Sequence, residues 1–542
     1  MRAAAAGALA VLLLAACTAS NGDEARAPSP SVTAAEPLPS VAASSLPAPV
    51  ATVDVERLAW GPAVADWDEA LATARALPLS RAAGQVIVTD LYTPDVDVAL
   101  DRVRRHHLGG VILMDGAAPS AEAVAAIAEG LQGVDDRTWP VWISADEEGG
   151  VVSRLSAAVT SLPSFMAAGA ATDKDAVTDA YRASAGEMRA LGVNVDYAPV
   201  ADVTIGTADP IIRTRSAGDG PEAVAAAVTA AVEGFVAGGV VPVIKHFPGH
   251  GSVTVDSHIG LPVQDRSVKR LAGADLVPFA EAIDAGAPVV MMGHIVVPEW
   301  GEDAATFAPQ AYAYLRDELG FTGVIVTDAL NMGAVTGSRD SGQAAVDALA
   351  AGADVLLMPR NAGDAAEALV EAVRSGRVSR DRLDEAAARS ILLMRWSAGL
   401  DTAVPAPGYA RGFAAAGITV AADDCDAPLV GRKASIVSGP EHARAALAAR
   451  LEDAGVAVGD EGTTIALVPS GRTRATADVV VSLGAPWGLF ASDAEAYVAT
   501  YGGSRATIAG LADVLTGAAE PGGAWPVAMS GAPFPACAVS AG

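Results

Sequence analysis

Eight short runs of β-branched and apolar residues recur through the first 360 residues, separated by longer stretches with helical spacing. The runs fall at 85–92, 109–114, 141–146, 193–200, 240–247, 288–294, 323–328 and 354–359. Several are apolar throughout, as strands buried on both faces must be. The stretches at 176–191, 221–237 and 364–375 are rich in alanine and carry helical periodicity. Gly192, Gly286, Gly320 and Gly352 stand where such helices should stop. Eight βα units in about 330 residues predict a (β/α)8 barrel, with a doubly wound open sheet as the alternative. The polar residues at the strand ends favour the barrel. Asp146, Asp202, Lys245, His246, His294 and Asp328 would converge on one face of it.

The barrel accounts for 53–400 of the 542 residues. Pro405-Ala406-Pro407-Gly408 marks a linker at 401–409. A second series of strand-like runs follows, at 433–438, 463–469, 478–483 and 496–501, with helical stretches at 442–454 and 506–515. It predicts a smaller three-layer α/β sandwich over 410–542. At the other end, Arg2 precedes an apolar run from Ala3 to Ala16, too short to span a bilayer as a mature helix. Residues 1–16 read as a secretory signal. Leu14-Ala15-Ala16-Cys17 is similar to a bacterial lipobox, which would acylate Cys17; cleavage of a plain signal peptide nearby is the alternative. Residues 17–52, rich in Ala, Pro, Ser and Thr, form a tether without periodicity. The expected location is the outer side of the cell membrane, facing the wall. Of the 3 cysteines, Cys425 and Cys537 remain in the mature body. In an exported protein they can pair, and the sequence leaves that open.

Charge narrows the function. Lys and Arg number 36 against 64 Asp and Glu, a net −28. That excludes a basic nucleic-acid footprint and adhesion to anionic lipid or wall polymer. The acid is dispersed, as on a solvated surface. Chemistry concentrates instead in Lys245-His246-Phe247-Pro248-Gly249-His250-Gly251 and Asp256-Ser257-His258, which hold three of the chain's 7 histidines. Zinc ligation by His246, His250 and His258 is one reading. Against it, the histidines lie across a Pro/Gly loop rather than one helix face, and Lys245 would repel a cation.

Four blocks carry a resemblance to glycoside hydrolase family 3, in its β-N-acetylglucosaminidase branch, over roughly 60–530. They are Asp146-Glu147-Glu148-Gly149-Gly150 with Arg154; 194–202 followed by Arg215-Ser216; the Lys245–His258 block; and Val324–Met332 around Asp328. The resemblance implies retaining cleavage of a terminal GlcNAc from peptidoglycan fragments or chitooligosaccharides, by a monomer without metal or organic cofactor. Asp328 takes the nucleophile position and His258, held by Asp256, the acid/base position. The dyad follows the logic of other Asp–His pairs, with imidazole able to give and take a proton. Asp146, Arg154, Arg215, Lys245, His246 and Asp202 take positions that contact or support the sugar hydroxyls. Arg213 and Ala217 depart from the family's pattern beside Arg215. In other branches the accessory domain supplies the acid; with His258 present, its expected role here is structural. Three alternatives stay open. Phosphate replacing water would make the enzyme a phosphorylase. Asp146-Glu147-Glu148 mimics the acidic pair of substrate-assisted hydrolysis, though strand neighbours point to opposite faces. An inactive, tethered sugar-binding protein is the third, and the survival of Asp328, Asp256 and His258 speaks against it.

Overall fold

The computed structural model describes residues 56–538. The signal at 1–16, Cys17 and the tether at 17–52 lie outside the described residues. Eight parallel strands form the first sheet: β1 (Ile87–Leu91), β2 (Gly110–Leu113), β3 (Trp142–Ala145), β4 (Val195–Asp196), β5 (Val241–Phe247), β6 (Val289–Met292), β7 (Val324–Thr327) and β8 (Leu356–Leu357). Strands β1 to β7 pair in sequence order, and β8 pairs with β1. Between β7 and β8 the seam is closed by a parallel bridge from Val326 to Val355 and by Leu357 N–H donating to Thr327 Oγ1 at 3.0 Å. The expected barrel is therefore present, with every strand inside its predicted run. Strand cores are buried throughout, as the apolar runs required. The ladder of β4 is short because the chain leaves it before Pro199, which has no N–H to offer. Asn194 locks this weak point: its amide donates to Val141 O and accepts from Ile143 N–H, both at 2.8 Å.

The predicted helices surround the sheet at Lys174–Ala190, Pro221–Gly238 and Ala362–Arg374. Their caps follow the sequence. Asp173 and Asn361 accept from first-turn N–H groups, and Gly239 ends the second helix at φ 95°. A leading helix, Val64–Ala76, packs on the final barrel helix Arg380–Ala398. Trp60 and Trp396 meet edge to face there, 5.3 Å between centroids.

The second sheet is mixed. It comprises β9 (Thr419–Ala422), β10 (Lys433–Ser438), β11 (Ala457–Val458), β12 (Thr463–Val468), β13 (Val479–Ser482) and β14 (Ala496–Ala499), in the order β9-β14-β13-β12-β10-β11. Only β9 runs antiparallel. Alternation along the strands divides its faces. Ile465, Leu467, Val479, Val481 and Val498 share a core with helices Glu441–Asp453 and Arg505–Thr516. Ala466, Val468, Val480, Tyr497 and Ala499 belong to the core that continues into the barrel. The α/β sandwich is thus present, and one of its faces is completed by the barrel. The described residues accordingly fall in one compact unit. Cys425 and Cys537 form a disulfide, with Cα atoms 5.4 Å apart and a sequence separation of 112.

Candidate active site

The carboxyl ends of the barrel strands enclose a cavity of about 450 Å³. Its lining includes Asp146 after β3, Lys245 and His246 in β5, Asp328 after β7, and His258 from the long loop that follows β5. Arg154 and Arg215 also line it. Among the described residues, the second sheet contributes no wall of this cavity.

Asp328 lies at the base, 9% exposed. Burial alone would push its carboxyl up. The imidazoles of His246 and His294, the N–H of Ala329 at 2.7 Å and the Lys245 ammonium outweigh that and hold it below the ordinary carboxylate range. The backbone N–H of Asp328 donates to Met292 O at 2.9 Å, which fixes where the residue leaves the strand. His294 is fully buried; its Nε2 donates to Ala329 O at 3.0 Å and its Nδ1 meets Thr306 Oγ1 at 2.7 Å, whose hydroxyl also reaches Gly293 O at 3.0 Å. Burial pushes the His294 pKa down, against the pull of the Asp328 carboxylate. The ring that grips the Ala329 peptide therefore helps to aim Asp328.

Around it stand two carboxylates and two cations. Lys245 Nζ lies 2.6 Å from Asp146 Oδ1 and 2.7 Å from Glu148 Oε1. Arg215 grips Glu148 through two parallel bonds of 2.8 and 2.7 Å. Desolvation would neutralise Glu148, but Arg215 and Lys245 hold its pKa down at about 2. Burial would likewise discharge Lys245, and Asp146 and Glu148 instead raise its pKa. Glu148, Lys245 and Arg215 thus stay charged in a buried wall, and Asp146, 26% exposed, is the carboxylate that meets the cavity. Arg154, at the rim, donates to both oxygens of Asp115 at 3.0 Å.

His258 and Asp256 meet as the resemblance implied. The Asp256 Oδ1 atom accepts from His258 Nδ1 at 2.7 Å and from the His258 backbone N–H at 2.9 Å. Burial raises the Asp256 pKa, and these two bonds with the imidazolium charge more than reverse it. Asp256 therefore remains an acceptor, which leaves His258 Nε2 for proton exchange. The His258 side chain is 58% exposed, so the dyad sits at the mouth rather than the base. Its loop is anchored inward by His250, whose Nε2 meets Ser257 Oγ at 2.8 Å. Gly249 has φ 117°, and a Cβ there would sit 2.8 Å from that of Asp275, so only glycine suits this turn.

Asp202 does not line the cavity: among the expected sugar-binding positions it takes the supporting role rather than a contact. It is fully buried and its oxygens are committed: Oδ2 to His246 Nδ1 at 2.7 Å, Oδ1 to the N–H groups of His246 and His250 at 3.2 and 2.6 Å. It orients His246 so that Nε2 faces inward. Arg213 also lies off the lining; Ile211 and Ile212 line it instead. Arg213 holds φ 49°, fixed by Asp209, whose carboxylate accepts from the N–H groups of residues 211, 212 and 213. Sequence reasoning missed Glu148 as the hub of the charged wall. The alternation in 146–148 carried the signal, since it places Asp146 and Glu148 on one side of the chain and Glu147 on the other.

The comparisons with known proteins agree with this geometry. Residues 84–393 match the Glycosyl hydrolase family 3 N terminal domain. A beta-hexosaminidase of Xylella fastidiosa (strain 9a5c) is 36% identical over 279 residues, 50% of this chain and 82% of that one. Beta-hexosaminidase A of Pseudoalteromonas piscicida is 33% identical over 317 residues; the match spans 53% of this chain and only 53% of that protein's length. Among solved structures, a glycoside hydrolase family 3 beta-N-acetylglucosaminidase from Paenibacillus sp. str. FPU-7 superimposes with a TM-score of 0.73 at 28% identity, covering 84% of this chain and 99% of the other. Barrel, site and relatives define a glycoside hydrolase. The chain belongs to glycosyl hydrolase family 3.

Proposed function

We propose that this enzyme removes a terminal β-linked GlcNAc from wall fragments or chitooligosaccharides, with retention, through a covalent bond to Asp328. One observation carries the reading: an ionised Asp328 at the base of the cavity and an Asp256-oriented His258 at its mouth. The names of the relatives, beta-hexosaminidase and beta-N-acetylglucosaminidase, support the sugar.

In the first step an Asp328 carboxylate oxygen bonds to the anomeric carbon while its bond to the leaving oxygen breaks. His258, protonated on both nitrogens and stabilised by Asp256, passes its Nε2 proton to that oxygen. In the second step the neutral ring takes a proton from water, the water oxygen bonds to the anomeric carbon, and Asp328 departs as a carboxylate. Asp146, Lys245, His246 and Arg215 hold hydroxyls during both steps. The charged wall is suited to this because its dipoles are already oriented before substrate arrives. We also propose that the chain is exported and anchored through Cys17; the lipobox-like Leu14–Cys17 segment supports this.

The test is product analysis with GlcNAc-β-1,4-MurNAc and with chitobiose, each with and without inorganic phosphate. Free GlcNAc, lost in Asp328→Ala by a factor on the order of 10³ or more, is expected. GlcNAc-1-phosphate would instead make phosphate the acceptor. No product from either sugar would refute the reading.

A further inference from the structure

Of 8 Trp, 8 Tyr and 9 Phe, one aromatic side chain alone is exposed among the described residues: Tyr92, at 54%. A single exposed apolar residue needs no explanation in itself. What singles out Tyr92 is its place. It follows β1 directly at the barrel mouth and lines the same cavity as Asp328 and His258. Val151, 76% exposed, lines that cavity too.

The cavity is graded from base to mouth. Asp328, Lys245 and His246 are buried, and Arg215 keeps only 11% of its side chain exposed. Tyr92, Val151 and His258 form the exposed part of the lining. If Asp328 attacks at the base and His258 delivers the proton at the mouth, the sugar beyond the broken bond must lie among the exposed group. A pyranose ring presents axial C–H groups on its faces and hydroxyls at its edge. A flat, exposed ring is the natural partner for the faces, and hydroxyls remain in water.

Tyr92 is also held in place. Its carbonyl packs so closely on Gly116 that a Cβ there would come within 2.2 Å of it. Gly116 belongs to the turn Asp115–Ala117, and Asp115 is the residue that holds Arg154. Burial and Asp90 raise the phenol's pKa against the opposing charges of Arg154 and Arg102, so the ring stays neutral and apolar in character. Tyr92, the turn and Arg154 are thus one connected wall.

We propose that Tyr92, flanked by Val151, is the platform for the sugar on the leaving-group side, and that it makes the enzyme prefer saccharide over small leaving groups. This rests on the glycosidase reading above.

The experiment compares wild type, Tyr92→Ala and Tyr92→Phe on chitobiose and on β-GlcNAc fluoride, whose leaving group is too small to reach the platform. Tyr92→Ala should lower kcat/KM on chitobiose about threefold to tenfold, mainly through KM. On the fluoride it should match wild type, which also shows that the variant folds. Tyr92→Phe, which keeps the ring face, should match wild type on both. An equal loss on both substrates, or no loss on either, overturns the platform. Wild-type enzyme inert toward both would instead remove the glycosidase reading, and the platform with it.

Discussion

Lys245 stays charged in a buried wall only because Asp146 and Glu148 flank it at 2.6 and 2.7 Å. Removing one carboxylate should leave Lys245 and Arg215 undercompensated in low dielectric. Glu148→Gln is therefore expected to cost about 3–5 kcal/mol, read as a lower midpoint in denaturant. Glu147, next in sequence, behaves oppositely. Burial pushes its pKa up to about 7, only partly offset by bonds from Ser153 and the Leu155 N–H. Its protonated form is the one the fold favours. Between its unfolded value, near 4.3, and about 7 the unfolded chain releases a proton that the native state keeps, so stability falls as pH rises through that window. Glu147→Gln imitates the protonated side chain. It should raise Tm at pH 8 and make little difference at pH 4; a difference independent of pH would contradict this origin. The residues of the site were legible in the sequence where a cluster of unusual composition stood out, as at Lys245–His258, and the pairing of Asp256 with His258 came only with the family resemblance. The division of labour within them was not. Asp202 turned out to orient His246, because its burial and its three bonds depend on the fold. Tyr92 could not be found at all, since exposure is not written in residue type.

At the scale of elements, the loop bearing His258 depends on the short helix Gly333–Thr336 that follows Asp328. Gly333 packs against it: a Cβ there would lie 2.6 Å from His258 O and 3.2 Å from Ile259 O, both backbone atoms. Gly333→Ala should push the loop outward and displace His258, the proposed acid. We expect kcat on a disaccharide to fall on the order of tenfold or more, with a smaller loss on an activated aryl glycoside that needs little protonation. Equal losses on both would show that the loop's position is not what the glycine protects. All eight barrel strands were legible because short β-branched and apolar runs recur between longer helical stretches, several of them apolar throughout as strands buried on both faces must be. Their ends were less so, since pairing stops where the neighbouring strand or a proline stops it, as at β4. Strand β9, Thr419-Val420-Ala421-Ala422, went unrecognised. It is short and half alanine, and its pairing with β14 is decided by tertiary contact rather than by propensity.

At the scale of the whole molecule, the second sheet buries one face under its own helices and the other in the core shared with the barrel. The linker expected at 401–409 leads directly into this arrangement, with helix Tyr409–Gly417 beginning at its last residue. The contact reaches the site indirectly. Arg472 donates to Thr207 O at 3.4 Å, and Trp487 packs beside Gly206, on the segment that continues into Ile211 and Ile212. The disulfide was undecidable from sequence because only the fold brings Cys425 to Cys537. Closing 112 residues, it should stabilise by about 2–4 kcal/mol. Cys425→Ser is expected to lower Tm while leaving kcat/KM at 25 °C unchanged, because neither cysteine lines the cavity. A matching loss of activity would mean that the second sheet acts on the site more directly than its contacts imply.

The central claim is that Asp328 forms the covalent bond. Its most direct test is to trap that bond with a 5-fluoro-GlcNAc fluoride, whose fluorine slows the second step, and to locate the adduct by peptide mass spectrometry. The account predicts one added sugar per chain, on the peptide carrying Asp328, and none in Asp328→Ala. A sugar attached elsewhere, or stoichiometric inactivation without any adduct on Asp328, would contradict it.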